Sequence, residues 1–304
     1  MLSRERLVGI YRDLRDRLNG VDGQERMLEA LGKVLAAQVQ AKSEISSLHD
    51  VEFRIYSQWG DDGIIQWLVH KLPGLPKKFI EFGVDNYMES NTRFLMVNNN
   101  WSGLVMDGSA EKIEWLKRRK WFWRYDLTAK HAFLTTDNVD ALIRDWAPDG
   151  EVGLLHIDVD GNDYWLWKAI TSIAPPIVVM EYNAIFGPDR AITIPYDPEF
   201  RRHKAHHSGQ YAGASLQALT YLAKGKGYRL IGTNNAGNNA YFISDAWLIK
   251  DLELMLDQST SAEPRFREGR NRAGDLTFLP QQRRLEEIRG LPVINVLTGD
   301  VESI

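Results

Sequence analysis

The 304-residue chain contains no cysteine. Disulfides, thiolate metal sites and cysteine nucleophiles are therefore excluded. No apolar run approaches the ~20 residues a membrane-spanning helix requires, so no integral membrane segment is expected. The opening residues Ser3, Arg4, Glu5 and Arg6 lack the apolar stretch of a signal peptide, and the chain reads as cytoplasmic. Strong charge of one sign is also missing, since the formal net charge is −4. The basic stretches Lys117–Lys120 and Arg201–Lys204 are short and read as solvated faces. No nucleic-acid partner is expected.

What is present is ordinary for a globular chain: 44% hydrophobic and 26% charged residues. Ten tryptophans read mostly as core or pocket wall. Three regions follow from the patterning: a helical arm over 1–48, an α/β core over 49–245 and an appendage over 246–304 packed on that core. In the arm, Asn19-Gly20 and Asp22-Gly23 are turn signals between two helical segments. Leu7, Leu14, Leu28 and Leu35 share one heptad register. The arm either packs on its own core or pairs copies of the chain into a homo-oligomer.

From residue 50, short apolar runs alternate with helical stretches. Lys78–Val84, Gly103–Asp107, His131–Thr136, Val152–Asp158 and Ile177–Tyr182 read as strands. Helices are expected at Glu89–Asn98, Ala110–Lys120, Asp137–Trp146 and Asp163–Ile173. This alternation predicts a mostly parallel sheet covered by helices on both faces. An irregular stretch, 183–212, precedes a helix at Ala214–Lys224 and two last strands at Tyr228–Thr233 and Asn239–Ile243. That ending is typical of the Rossmann-like class I methyltransferase fold, with seven strands.

Ligands of open α/β sheets bind beyond the carboxyl ends of the strands. The first strand ends in Glu81-Phe82-Gly83-Val84-Asp85. The later glycines of the dinucleotide fingerprint are missing, and with them a pyrophosphate cradle. This counts against a nucleotide-cofactor oxidoreductase. An acidic first loop suits a ligand that carries an ammonium group and no phosphate, as S-adenosylmethionine does. The second strand ends in Asp107-Gly108-Ser109, and Asp107 lies 24 residues beyond Gly83. This is the spacing of a carboxylate that accepts ribose hydroxyls. Ser109 reads as the cap of the next helix. Asp137-Asn138, after the third strand, either reaches an adenine edge or caps a helix. Asp126 is counted with the cofactor-binding candidates.

The fourth strand carries the densest cluster, His156-Ile157-Asp158-Val159-Asp160-Gly161-Asn162-Asp163-Tyr164. Alternation points His156, Asp158 and Asp160 the same way. Glu181-Tyr182-Asn183 ends the neighbouring fifth strand. Asp158, Glu181 and Asn183 form an all-oxygen set fit for Mg²⁺, Mn²⁺ or Ca²⁺. The alternative is that Asp163 caps a helix while Asp160 and Asn162 make turn bonds.

Three segments, Phe79–Asp85, Gly103–Ser109 and His156–Tyr164, together with Tyr56-Ser-Gln-Trp-Gly-Asp-Asp-Gly63, resemble the FkbM-like class I methyltransferases. The resemblance covers about 50–245. It implies an S-adenosylmethionine-dependent O-methyltransferase acting on a hydroxyl, typically of a sugar in a polysaccharide or natural product. A small non-sugar acceptor is the alternative. On this resemblance Glu81 and Gly83 hold the methionine part and Asp107, with Gly108 and Ser109, the ribose. Gln58 and Asp62 line the same pocket. The fourth strand also resembles metal-dependent O-methyltransferases, in which Asp158 would be a ligand. Their general-base lysine falls on Gly161 here, so the base must be another residue: Asp158, Asp160, or His206 and His207 in the loop where such enzymes build the acceptor pocket.

Overall fold

The structure is a computed structural model that describes residues 21–256 and 269–304. Strands β1 (Lys78–Phe82), β2 (Ser102–Asp107), β3 (Leu127–His131), β4 (Leu154–Ile157) and β5 (Ile177–Glu181) are followed by β6 (Ile192–Thr193), β7 (Tyr228–Thr233) and β8 (Asn239–Ser244). The chain closes with β9 (Pro292–Asn295) and β10 (Val301–Ser303). One sheet has seven strands in the order β3-β2-β1-β4-β5-β8-β7. β1 to β5 run parallel, and β8 is antiparallel to both β5 and β7. This is the Rossmann-like arrangement expected from the sequence.

Alternation along the buried strands sorts side chains onto two faces. Ile80, Phe82, Leu104, Met106, Leu155 and Ile157 pack on one side with the helices Val139–Trp146, Asp163–Ala169 and Leu216–Gly225. Phe79, Val105, Leu154, Ile177 and Val179 pack on the other, with Asp61–Lys71, Arg93–Asn99 and Ala110–Lys117. Glu81 and His156 share this second face, as register partners in adjacent strands.

Four sequence expectations need correction. The third strand is Leu127–His131, not His131–Thr136. As the edge of the sheet it buries Leu127 and Ala129 and exposes Thr128, so it lacks the unbroken apolar run of the central strands. The helix after β1 starts at Arg93 instead of Glu89. Ser90, Asn91 and Thr92 are held back to hydrogen-bond Glu81. The stretch 183–212 is not wholly irregular, since β6 pairs with β9, and β9 with β10, in a separate antiparallel sheet. The appendage is thereby joined to the loop beyond β5. Finally, Asp22-Gly23 does not break the arm, because one helix runs from Val21 to Gln40. Residues 1–20, with Leu7, Leu14 and Asn19-Gly20, lie outside the described residues.

The arm helix meets the core through Gly32, Ala36 and Val39. A Cβ at Gly32 would lie 2.6 Å from the Phe94 ring, so glycine is what allows the close approach. Leu28 and Leu31 face outward, 43% and 51% exposed, beside Met27 and Val34. Glu25 of the same helix pairs with Arg93, which is 2% exposed. The Arg93 guanidinium lies between the rings of Tyr56 and Trp121, 4.1 and 4.7 Å from their centroids.

Candidate active site

The strand order reverses between β1 and β4, and there a crevice opens at the carboxyl ends. Gly83 makes it possible. Its φ is +73°, and a Cβ there would stand 1.5 Å from the Asp158 carbonyl oxygen. Gly83→Ala is expected to cost on the order of 3 kcal/mol of stability or more. Urea unfolding that matches the parent would refute this close approach.

The crevice is a cavity of about 500 Å³, within the size range of small-molecule sites. Gly83, Asp107, Gly108 and Ser109 line it, with Phe133 and Leu134 beyond β3 and Asp158, Asp160 and Asn162 beyond β4. Its roof is Phe200–Lys204. The Asp107 carboxylate accepts the Asp85 N–H at 2.8 Å and the Ser109 N–H at 2.7 Å, which fixes it at the tip of β2. Burial raises its pKa, opposed by the Ser109 hydrogen bond, and Asp160 pushes it up further. Ser109 also caps the helix Ala110–Lys117, accepting the Lys112 N–H. Lys112 pairs with Asp85 at the rim.

Other cofactor candidates lie elsewhere. Glu81 is 3% exposed and does not line the cavity. Its carboxylate accepts Ser90 Oγ at 2.6 Å, the Asn91 N–H at 3.0 Å and the Thr92 hydroxyl, and lies 3.0 Å from His156 Nδ1. Burial alone would raise its pKa, yet the bonds from His156, Ser90 and Thr92 hold it below the ordinary value. Glu81 is thus the anchor of the loop after β1. Asp62 is similarly consumed by its own turn, accepting the N–H groups of Ile55, Tyr56 and Ser57 at 2.7 to 2.8 Å; burial raises it to about 6. Gln58 is exposed and outside the cavity. Asp126 sits at the other end of the sheet, bound by Ser102 Oγ at 2.7 Å. Asp137 is exposed, and Asn138 braces its own loop through the Phe133 carbonyl and the Thr135 N–H.

At the ends of β4 and β5, carboxylate oxygens of Asp158, Asp163 and Glu181 lie within 4.8 Å of one another. Asp158 and Glu181 share a side-chain hydrogen bond. Burial, then the neighbouring acids Glu181, Asp160 and Asp163, raise Asp158 well above its ordinary value. Burial and the charges of Asp163 and Asp160 push Glu181 to about 8, against the pull of Arg202. Burial takes Asp163 to about 6, though the Val159 and Gly161 N–H groups bond its oxygens at 2.8 and 2.9 Å. Three crowded carboxyls fit either a shared proton or a hard divalent cation. Asn183 is not part of the set. Its amide donates to the Gln210 and Ala212 carbonyls, and its oxygen accepts the Ile185 N–H. Asp163, read from the sequence as a cap, takes its place.

These carboxyls bind protons more tightly in the folded chain than in the unfolded one. Their stabilising contribution is therefore complete below about pH 4 and is lost as pH rises through about 6 for Asp163 and about 8 for Glu181. The melting temperature is expected to fall over that window, with Glu181→Gln removing the upper part of the slope. A melting temperature that rises from pH 6 to 8 would contradict the placement of Glu181.

Asp160 does not continue the strand alternation, because β4 ends at Ile157 and Asp160 has φ +60°. It is exposed and pairs with Arg202 at 2.8 Å. His156 is buried between Glu81 and Asn91. His206 and His207 stack on each other with centroids 4.2 Å apart and do not line the cavity. Burial lowers the His206 pKa, and His207 adds to this. The histidine in the roof is His203. Arg201–Lys204 is accordingly a cavity wall instead of a plain solvated face. Its one sequence signal was four basic residues in the loop beyond β5.

No known family profile and no curated protein matches the chain. Among solved structures it is similar to the CurJ carbon methyltransferase, with 11% identity and TM-score 0.37 over 62% of this chain and 55% of that one. It therefore spans little more than half of that protein. A methyltransferase from Clostridium acetobutylicum dependent on S-adenosylmethionine shows 10% identity and TM-score 0.40, over 60% of this chain and 90% of that one. The Streptomyces coelicolor geranyl diphosphate C-methyltransferase shows 11% identity and TM-score 0.34, over 66% and 80%. These are distant likenesses of architecture.

Proposed function

We propose that the chain is an S-adenosylmethionine-dependent methyltransferase acting on a hydroxyl, in keeping with the FkbM-like sugar O-methyltransferases its motifs resemble. The observation that carries this reading is Asp107. A carboxylate held by two backbone N–H groups faces a cavity at the strand-order reversal, where ribose hydroxyls are accepted. The β1 loop beside it has no phosphate cradle and is tied down by Glu81. Phe133 and Leu134 provide an apolar wall for an adenine, and Gly83, which lines the same cavity, stands on the side of the methionine part.

Bound S-adenosylmethionine supplies an electrophilic methyl group. Most of the chain's work is alignment of the acceptor oxygen. The Asp158–Glu181 pair would take the proton of the acceptor hydroxyl, Asp158 being the member that lines the crevice. Asp158, Glu181 and Asp163 would hold Mg²⁺, Mn²⁺ or Ca²⁺, which would lower the pKa of the hydroxyl. Calorimetry with S-adenosylhomocysteine and with NAD tests the reading: binding of the first alone is expected, and binding of NAD alone would replace it with an oxidoreductase.

Assembly through the arm belongs to the same reading, since Leu28, Leu31 and Val34 are exposed on one helix. Leu31→Glu is expected to lower the solution mass in light scattering to that of one chain. An unchanged mass would leave that face without a partner copy.

A further inference from the structure

Beside the main crevice, a second cavity of about 60 Å³ opens beyond β5. Arg202 lines both, and the Asp158–Glu181 pair stands between them, Asp158 lining the larger and Glu181 the smaller. The far wall comes from the appendage. Arg284, 3% exposed on the helix Gln281–Glu287, lines this small cavity. Gln281 locks that helix in place by donating to the Ala184 carbonyl at 2.8 Å. Arg202 is aimed by Asp160 at 2.8 Å and by the Gly209 carbonyl. Two arginines thus line one small space, together with Gln210 and Asn238.

By size, the cavity holds roughly four to six water molecules. That is room for a carboxylate or a phosphate group but not for a sugar ring. Guanidinium forks match both oxyanions in geometry. Glu181, which lines the same cavity, is engaged in a side-chain hydrogen bond with Asp158. Arg201 and Lys204 in the roof place positive charge over the approach, across the crevice from Asp107 and Asp160.

We propose that the methyl acceptor is an anionic hydroxyl compound, a sugar acid or a sugar phosphate, whose charged group sits between Arg202 and Arg284. Its ring then lies on the Arg202 side, with a hydroxyl over Asp158 and Glu181. As a statement about the acceptor this rests on the methyltransferase reading, whereas the anion site itself does not. The test is calorimetry on the unliganded chain and on the chain saturated with S-adenosylhomocysteine, with glucuronate, glucose 6-phosphate and glucose as probes. Both anions, or one of them, are expected to bind at least tenfold more tightly than glucose, and the preferred anion tells carboxylate from phosphate. Arg284→Gln is expected to weaken that binding tenfold or more, with Arg284→Lys in between and S-adenosylhomocysteine affinity unchanged. Equal binding of glucose, or undiminished anion binding by folded Arg284→Gln, overturns the proposal. Should Arg284→Gln not fold, the anion-to-glucose ratio and its loss in high salt decide on the parent chain. Anion binding without S-adenosylhomocysteine binding would instead refute the methyltransferase reading and leave an anion site.

Discussion

Asp107→Ala is expected to weaken S-adenosylmethionine binding about ten- to a hundredfold, the scale of one or two lost hydrogen bonds to a charged acceptor. The fold should persist. Asp107 is at a strand end, partly exposed, and what it releases are the Asp85 and Ser109 N–H groups, both near solvent. Asp107→Asn should fall between, because an amide keeps one acceptor oxygen and places a donor against an N–H. Calorimetry with S-adenosylhomocysteine, beside circular dichroism, separates binding from folding. Unchanged affinity in a folded Asp107→Ala would remove the ribose assignment. By contrast, Glu81→Gln should act through the β1 loop, lowering stability and affinity together, since Glu81 holds Ser90, Asn91, Thr92 and His156.

At the reaction centre, Asp158→Asn should lower turnover about a hundredfold or more, the scale of a lost general base, with cofactor affinity within a few-fold of the parent. Release of S-adenosylhomocysteine at saturating cofactor measures it. Chelation then distinguishes the two chemistries open to the carboxyl cluster. With a cation among Asp158, Asp163 and Glu181, chelator abolishes turnover, and added Mg²⁺ raises the melting temperature more as pH rises through about 8 and Glu181 ionises. With a shared proton in its place, activity survives exhaustive chelation, and the rate climbs as pH approaches about 8 and Glu181 ionises. A chelator-resistant rate that is flat from pH 6 to 9 would exclude Glu181 as base. His206→Ala and His207→Ala are expected to change turnover only a few-fold, as neither lines the crevice.

The sheet was legible because its central strands are buried on both faces and read as unbroken apolar runs. β3 was misplaced because an edge strand buries only half its residues. The strand-end positions of Gly83 and Asp107 were legible in the sequence, and both residues line the crevice. What spacing does not carry is the direction of a side chain once the strand has ended. Asp158 belongs to the cluster, while Asp160 turns to Arg202 at a positive φ and Asn183 turns back to brace its own loop. Glu81 and Asp62 show the same gap, since an acid beside a glycine looks alike whether it awaits a ligand or ties down a turn. Arg284 was out of reach because it arrives from a distant segment through the pairing of β6 with β9.

The arm's contact with Arg93 bears on the order in which the molecule comes apart. Glu25 holds Arg93, whose N–H bonds Ser90 Oγ, which in turn bonds Glu81. Undocking the arm would strand a buried guanidinium and slacken the loop that floors the crevice. Arm and loop should therefore open as one cooperative unit, with backbone amides of 21–40 and 85–93 exchanging hydrogen at a common rate. S-adenosylhomocysteine would then slow exchange in an arm that it never touches.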